Sequence, residues 1–444
     1  MVMELEGKKI LVVGLGKTGV ETARFLSARK SLVKASDKSP FEALSDEAKG
    51  LREYGVELET GGHTEEAFLW AEVVVLSPGV PFNVPLIQDA VNRGIDVISE
   101  VELASNFINT PVIAVTGSNG KTTTSTLIAG ILKRGGKHVF LGANIGTPLI
   151  SITDTSEQYD VLVLELSSFQ LQGIKTFRPD ISVVLNISPN HLDHHKDFDE
   201  YVRSKMKIVS NQTGSDYFIF NGKDGIIREY ALTTAARKMP FGYDKGTGRI
   251  YYDRERIHYD NEIYELKGTK LIGDHNIENI MAAIAGTRIL GCEQEVIQKE
   301  IIEFTPLPHR NEYLGERMGA KFYNDSKSTS PAATVRALES HPSPIILIAG
   351  GKDKGVSFSN LKDIVSDKVK FMVLFGESKL RMQKELGAGV HTELADSIED
   401  AMDKTLQKVA PRDTVLFSPA CSSFDMFDSY EQRGRRYKDI VKNL

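Results

Sequence analysis

Residues 112–115 are a short apolar run, Val-Ile-Ala-Val, that breaks into Thr116-Gly-Ser-Asn-Gly-Lys-Thr-Thr. Apolar residues then recur at Leu127, Ile128, Ile131 and Leu132, the spacing of one helix face. A buried strand, a glycine turn and a helix start in that order leave few choices. The chain has to build a parallel α/β sheet with this loop at the C-terminal end of a strand. Such a loop is a phosphate cradle: backbone N–H groups converge on the anion, and the helix start adds partial positive charge. Gly117, Ser118, Asn119 and Gly120 form the turn. Lys121 stands where it neutralises outer phosphates, and the Thr122 hydroxyl where it reaches a magnesium ion. Val115 occupies the first glycine position of G-x-x-x-x-G-K-[ST], so the loop is a shorter T-G-x-N-G-K-T variant.

The same strand-then-loop theme recurs on both sides. Residues 9–13 read as a strand, followed by Gly14-Leu-Gly-Lys-Thr-Gly, a complete G-x-G-x-x-G that opens a helix. A second strand, residues 32–36, ends in Asp37, placed for a ribose or another donor-rich group. Residues 73–76 form a further strand, stopped by Ser77-Pro-Gly. A boundary is expected near residues 99–110, before the phosphate loop restarts the pattern. Residues 161–165 are a strand ending in Glu165, where P-loop enzymes hold magnesium. Residues 181–185 are another, followed by Asn186-Ile-Ser-Pro-Asn-His-Leu-Asp. Glu165 and His191 therefore follow strands of one expected sheet, and together they point to a metal. Lys205 lies mid-helix, where the bland alternative is a solvated lysine. Residues 215–270 alternate short strands with Asp, Asn and Gly turns, a small and mostly antiparallel addition.

Beyond the rigid link Pro306-Leu-Pro-His-Arg, βα periodicity resumes, with strands at 344–349, 371–375 and 414–417. The last ends in Ser418-Pro-Ala-Cys-Ser-Ser-Phe-Asp, and the basic residues at 433–438 read as a solvated face of the final helix. A chain of 444 residues exceeds one ordinary core, so two to three domains are expected. The net charge of −6 argues against a nucleic-acid surface. Two distant cysteines, Cys292 and Cys421, have no metal spacing and suit a reducing cytoplasm. The first residues lack the apolar run of a signal peptide, and no stretch approaches the ~20 apolar residues that span a bilayer.

Six ordered motifs together resemble the Mur ligase family, the ADP-forming amide ligases of peptidoglycan precursor synthesis. They are the phosphate loop, Glu165-Leu-Ser-Ser-Phe-Gln-Leu, Asn190-His-Leu-Asp, Leu307-Pro-His-Arg, Asn324-Asp-Ser-Lys-Ser-Thr, and Ser418-Pro-Ala-Cys-Ser-Ser-Phe-Asp with Tyr430-Glu-Gln-Arg-Gly downstream. The last of these, with Glu165-Leu-Ser-Ser-Phe-Gln-Leu and the N-terminal glycine loop, is most similar to the branch that adds D-glutamate to UDP-N-acetylmuramoyl-L-alanine.

The resemblance implies three α/β domains. They are an N-terminal Rossmann-like domain (1–99) for the UDP substrate, a central P-loop ATPase domain (100–306) with the antiparallel addition, and a C-terminal Rossmann-like domain (307–444) for the amino acid. It implies ATP as phosphoryl donor, an acyl-phosphate intermediate, a cytoplasmic monomer, and no nucleic-acid or membrane partner. It places ATP on residues 117–123, including Thr123, and on Asn279, Arg310 and Asp325. It places Mg²⁺, in two sites, on Thr122, Glu165, His191 and Lys205, with Lys205 carbamylated. Lys121, Glu165, His191, Lys205 and Arg310 carry the catalysis. The UDP-sugar falls to Lys17, Thr18, Asp37, Gly79 and Asn144. D-Glutamate falls to Lys327, Thr329, Lys354, Ser423, Phe424 and Tyr430. Two positions depart from the pattern: Lys38-Ser39 stands where some members have an arginine, and Lys352 competes with Lys354 in Gly-Gly-Lys-Asp-Lys-Gly. The competing reading of Gly14, Gly16, Gly19 and Asp37, a nicotinamide-dependent oxidoreductase, leaves Lys121, Glu165 and His191 without purpose. Within the family, the alternative is a ligase for another amino acid.

Overall fold

The computed structural model describes residues 3–189, 194–242, 249–305 and 308–444. The chain divides into two compact units, one of Met1–Gly268 and Glu278–Glu303, the other of Thr269–Ile277 and Phe304–Leu444. The first unit holds two sheets. Strands β1 (Lys9–Val13), β2 (Leu32–Asp37), β3 (Glu57–Thr60), β4 (Val73–Leu76) and β5 (Asp96–Ser99) form a parallel sheet in the order β3-β2-β1-β4-β5. β1 and β4 are unbroken apolar runs because both of their faces are covered. The order reverses between β1 and β4, so a crevice opens at their C-terminal ends. Helix α1 (Lys17–Ala28) starts there. A Cβ at Gly19 would lie 1.8 Å from the Gly14 carbonyl oxygen, so this close approach of helix to loop accepts only glycine.

The second sheet comprises β6 (Val112–Thr116), β7 (Val139–Ala143), β8 (Val161–Glu165), β9 (Ile181–Val184), β10 (Tyr217–Asn221), β11 (Arg237–Gly242), β12 (Ile250–Tyr252), β13 (Arg256–Tyr259) and β14 (Glu262–Glu265). Their order is β14-β13-β12-β11-β10-β9-β6-β8-β7. Antiparallel pairing is confined to β12, β13 and β14, while β10 and β11 extend the parallel sheet. The helix Gly225–Thr233 is their crossover, and Phe218, Ile219 and Phe220 are buried. β6 sits where the order switches, flanked by β8 and β9, and feeds helix α2 (Lys121–Arg134). Helix α3 (Phe198–Met206) follows β9.

Between the two sheets runs the short helix Glu100–Ser105. Its Glu102 carboxylate accepts the N–H groups of Lys175, Thr176 and Phe177 at 2.9, 2.9 and 3.0 Å, and the Thr176 hydroxyl. One buried carboxylate thus ties the end of the first sheet to the loop before β9.

The second unit carries β15 (Glu312–Arg317), β16 (Ala320–Asn324), β17 (Ile345–Gly350), β18 (Val369–Phe375), β19 (His391–Leu394) and β20 (Thr414–Phe417), ordered β15-β16-β20-β17-β18-β19. Only β15 is antiparallel to its neighbour. The final helix, α4 (Tyr430–Lys442), corrects one expectation. Arg435, Arg436 and Lys438 are exposed, but Arg433 is completely buried, on the same face as Tyr437 and Val441. The i, i+4, i+8 spacing of these three is a core-facing stripe. Among the described residues no helix is long and apolar enough to cross a membrane.

Glu102→Ala strips four hydrogen bonds from a buried carboxylate site and should destabilise the protein by about 2–4 kcal/mol. Chemical denaturation followed by circular dichroism checks this, and Glu102→Gln should recover part of the loss.

Candidate functional site

The phosphate loop is held from below. Ser118 donates its N–H to the Asn186 carbonyl at 2.9 Å, and Asn119 donates its own to Asn186 Oδ1 at 2.9 Å. The Ser118 hydroxyl donates to the Ser188 carbonyl, accepts the Ser188 N–H, and meets the Tyr201 hydroxyl at 2.7 Å. That fills the bonding capacity of a hydroxyl. Ser118, expected in the cradle, also anchors the loop, and Asn186 and Tyr201 are partners that sequence reasoning missed. Gly120 has φ +85°, and a Cβ there would lie 2.3 Å from Asn279 Oδ1. Asn279 also accepts the Thr124 hydroxyl at 3.1 Å, so the expected nucleotide residue stands directly against the loop. α2 begins at Lys121 with no side chain capping its first turn, which leaves that end of the helix dipole to an anion.

Two ammonium groups converge on one carbonyl. Lys121 Nζ donates to Gly117 O at 2.9 Å and to Ser118 O at 3.2 Å, and Lys205 Nζ donates to the same Gly117 O at 2.9 Å. Lys205 also lies 3.4 Å from Thr116 Oγ1 and over the Tyr201 ring. It is 2% exposed, not the solvated lysine the helical pattern suggests. Burial first, then repulsion from Lys121, hold its pKa well below the usual lysine value, against the pull of Glu165. Glu165 is itself 2% exposed. Its Oε1 accepts the Asn144 side-chain N–H at 2.7 Å, while Oε2 is buried and has no hydrogen-bond partner among the described residues. His191 lies outside the described residues, and among the described residues no cluster of three His, Cys, Asp or Glu side chains forms a metal site. His195 stacks on Phe169 and bonds the Ser168 hydroxyl at 2.9 Å.

The crevice of the first sheet gathers Lys17, Thr18, Asp37 and Gly79 at strand ends. Asp37 is a clamp: its oxygens accept the N–H groups of Leu15 at 2.6 Å and Ser39 at 2.8 Å. Burial pushes its pKa up, but these backbone bonds win, and the carboxylate stays below its ordinary range. Gly79 is exposed in the loop after β4. Thr18 accepts the Thr22 hydroxyl on its carbonyl, and Lys17 Nζ donates to Gly146 O at 2.9 Å. The loop that carries Asn144 therefore touches both the crevice and Glu165.

In the second unit the candidate residues sit before β15, on the loops after β16, β17 and β20, and at the start of α4. Buried Arg433 stitches the loops after β16 and β20 together. Its guanidinium donates to Ser326 Oγ and O, to Cys421 O and to Ser422 O, at 2.8–3.0 Å. Burial lowers its pKa to about 10, so it stays charged at neutral pH. The spacing Tyr430, Arg433, Tyr437 was the available signal. Lys327 Nζ lies 3.8 Å from the Tyr430 ring centroid. Ser423 is buried, Phe424 is 71% exposed and Thr329 is half-buried. Lys352 is ion-paired with Glu377 at 2.6 Å, whereas Lys354 is exposed with no ion pair among the described residues. Asp325 is buried beside Arg310 and accepts the Ser418 hydroxyl at 2.7 Å and the Asn311 N–H at 3.1 Å. Burial pushes its pKa up to about 6, against the bonds from Ser328, Ser418 and Asn311 and the charge of Arg310.

Comparison with known proteins covers each of these regions. The chain matches the Mur ligase MurD-like N-terminal domain over residues 8–99, the Mur ligase middle domain over 115–287, and the Mur ligase glutamate ligase domain over 309–421. It is 44% identical to a UDP-N-acetylmuramoylalanine–D-glutamate ligase of Geotalea uraniireducens, across 100% of this chain and 99% of the relative. It is 42% identical to the enzyme of that description in Citrifermentans bemidjiense, across 99% and 98%. In fold it is similar to the MurF ligase of Thermotoga maritima solved with ADP, at 18% identity and a TM-score of 0.62 over 100% and 99% of the two chains. A pseudomurein peptide ligase type C of Methanothermus fervidus gives 19% identity and 0.61 over 98% and 100%.

The raised Asp325 pKa means that the folded protein holds this proton more tightly than the unfolded chain. Its stabilising contribution is complete below the ordinary value of 3.8 and is lost as pH rises through about 6. Between those values the parent should lose on the order of 2 kcal/mol relative to Asp325→Asn, which denaturation at a series of pH values measures.

Proposed function

The chain belongs to the Mur ligase family, and from that premise we propose how its sites divide one ligation. The protein is an ATP-dependent, ADP-forming ligase that joins D-glutamate to UDP-N-acetylmuramoyl-L-alanine in peptidoglycan precursor synthesis. The single observation that supports the mechanism best is the convergence of Lys121 and Lys205 on the Gly117 carbonyl beside Glu165.

A carboxylate is a poor acyl donor, so ligation first needs a leaving group. The substrate carboxylate oxygen attacks the γ-phosphorus of ATP, and ADP departs, leaving an acyl phosphate. Two anions must meet for this. Lys121, released from its own loop carbonyls, and the open start of α2 neutralise the triphosphate. Arg310 adds charge on the nucleotide, with Asp325 and Asn279 as its further contacts. The D-glutamate amine, having lost its proton, then adds to the acyl carbon. The tetrahedral adduct collapses to the amide, and phosphate leaves. Lys327 and Lys354 suit the two carboxylates of the amino acid, with Thr329, Ser423, Phe424 and Tyr430 around them. The crevice residues Lys17, Thr18, Asp37 and Gly79, with Asn144, take the UDP-sugar. This reading keeps the domains at 1–99, 100–306 and 307–444 and the reaction in the cytoplasm.

The residues fit magnesium. A buried carboxylate oxygen without a partner is costly, and among the described residues Glu165 Oε2 is one. Thr122, Glu165, His191 and Lys205 would hold the metal. Bound there, it would polarise the transferring phosphoryl group. Lys205 reaches the required charge by carbamylation. Its depressed pKa leaves the amine lone pair available to CO₂; an N–C bond forms, a proton leaves, and a cation becomes an anionic oxygen ligand.

Phosphate release with MgATP, UDP-N-acetylmuramoyl-L-alanine and a panel of amino acids tests the reading. D-Glutamate should support turnover, and preference for another amino acid would overturn it. Lys121→Ala should cut phosphate release at least about a hundredfold while UDP-sugar binding survives. Lys205→Ala should be inactive and partly restored by short-chain carboxylic acids. Unassisted full activity would refute the carbamate.

A further inference from the structure

His341 is a buried imidazole that the chemistry above does not use. It follows the helix Pro331–Glu339 of the second unit. Lys368 fixes the turn there: its ammonium donates to the carbonyls of Leu338 and Glu339 at 3.2 Å and of His341 at 3.0 Å. The ring packs against Tyr323 on β16, with centroids 4.1 Å apart. Its Nε2 donates to Asn311 Oδ1 at 2.6 Å. Burial first, then the charges of Lys368, His275 and Lys321, push its pKa down to about 4. The imidazole is therefore neutral at pH 7, and this bond does not titrate there.

Asn311 ends an unusual run of backbone. His309 and Asn311 have φ of +65° and +49°, so Arg310 stands between two left-handed residues, neither of them glycine. Such a pair persists only where its surroundings hold it. The His309 N–H donates to Glu312 Oε2 and its carbonyl accepts the Lys327 N–H, both at 3.0 Å, while its Nδ1 meets the Asn324 amide at 2.9 Å. Asn311 is held at two points. Its N–H donates to Asp325 Oδ1 at 3.1 Å, and its side-chain oxygen accepts from His341. Asn311 Nδ2 is buried with no hydrogen-bond partner among the described residues, so the His341 bond is what fixes this side chain.

Both holds on this backbone lead to Asp325. One of its oxygens takes the Asn311 N–H, the other takes the Ser418 hydroxyl, and Arg310 lies close enough to act on its charge. A shift of Asn311 therefore turns the backbone of Arg310 and strips a bond from Asp325 at the same time. Resting on the reading of Arg310 and Asp325 as nucleotide residues, we infer that His341 is a positioning residue for ATP. Through Asn311 it sets the backbone that carries Arg310 and the bond that orients Asp325. It acts by way of Asn311 and not on the nucleotide itself.

Steady-state kinetics on the full chain, with MgATP, UDP-N-acetylmuramoyl-L-alanine and D-glutamate varied in turn, test this. His341→Ala should raise the KM for ATP about tenfold, the worth of one buried hydrogen bond, and leave the other two KM values unchanged. His341→Gln, which keeps an N–H donor, should recover part of the loss. Asn311→Gly still accepts the left-handed backbone but cuts the link, and should match His341→Ala. In the double variant the KM for ATP should be no higher than in either single one, because both remove the same interaction. Increments that multiply in the double variant overturn the inference, and so does a rise of all three KM values together. Should His341→Ala fail to fold, Asn311→Gly decides, and a parental KM for ATP overturns the inference. Arg310→Ala checks the premise. If it changes neither kcat nor the KM for ATP, the nucleotide reading itself fails. If it changes either one while the His341 and Asn311 variants keep parental values, the positioning role alone is overturned.

Discussion

The Gly117 carbonyl oxygen accepts from two lysines at once, and the chemistry of the first unit follows from that shared acceptor. Two ammonium ions this close repel, and one of them is fully enclosed. Burial and a like charge both disfavour the charged form of the enclosed one. Lys205 is that one, since burial and Lys121 act on it in the same direction. The arrangement separates two lysines of equal intrinsic basicity: the enclosed Lys205 is the weaker base. Glu165 stands beside them, with one oxygen bonded to Asn144 and the other without a hydrogen-bond partner among the described residues.

The second unit handles its buried cation in the opposite way. A guanidinium does not lose its proton near neutral pH, so it must be satisfied by acceptors. Arg433 meets this with one hydroxyl and three backbone carbonyls drawn from two loops. Those loops carry Lys327 and Ser423, so the charge that costs desolvation also fixes the spacing of these two loops. Lysine in that place could reach fewer acceptors and would neutralise instead. The two sheets thus use the same device, a cation enclosed at the strand ends. In one its basicity falls, and in the other it holds loops together.

Much of the fold was legible because buried parallel strands are continuous apolar runs. β1, β4, β8 and β20 fall where the sequence places them. β3 and β19 were not legible: Glu-Leu-Glu-Thr and His-Thr-Glu-Leu lie at sheet edges, where half the side chains meet water and no apolar run forms. β10 and β11 look like hairpin strands from their turn residues, yet they join the parallel sheet, because strand direction depends on the crossover helix and not on local composition.

Residue types and their order determined that the chain would be α/β, that a phosphate loop would follow a central strand, and which lysines, carboxylates and loops were candidates. They determined this because such motifs are local: one strand, one turn and one helix start suffice. Tertiary structure alone decided that Ser118 anchors the loop from below, that Lys205 is buried against Lys121, and that Arg433 faces inward. Each of those outcomes depends on which distant groups share a low-dielectric neighbourhood. Proton positions and pKa values belong to that neighbourhood and not to the residue.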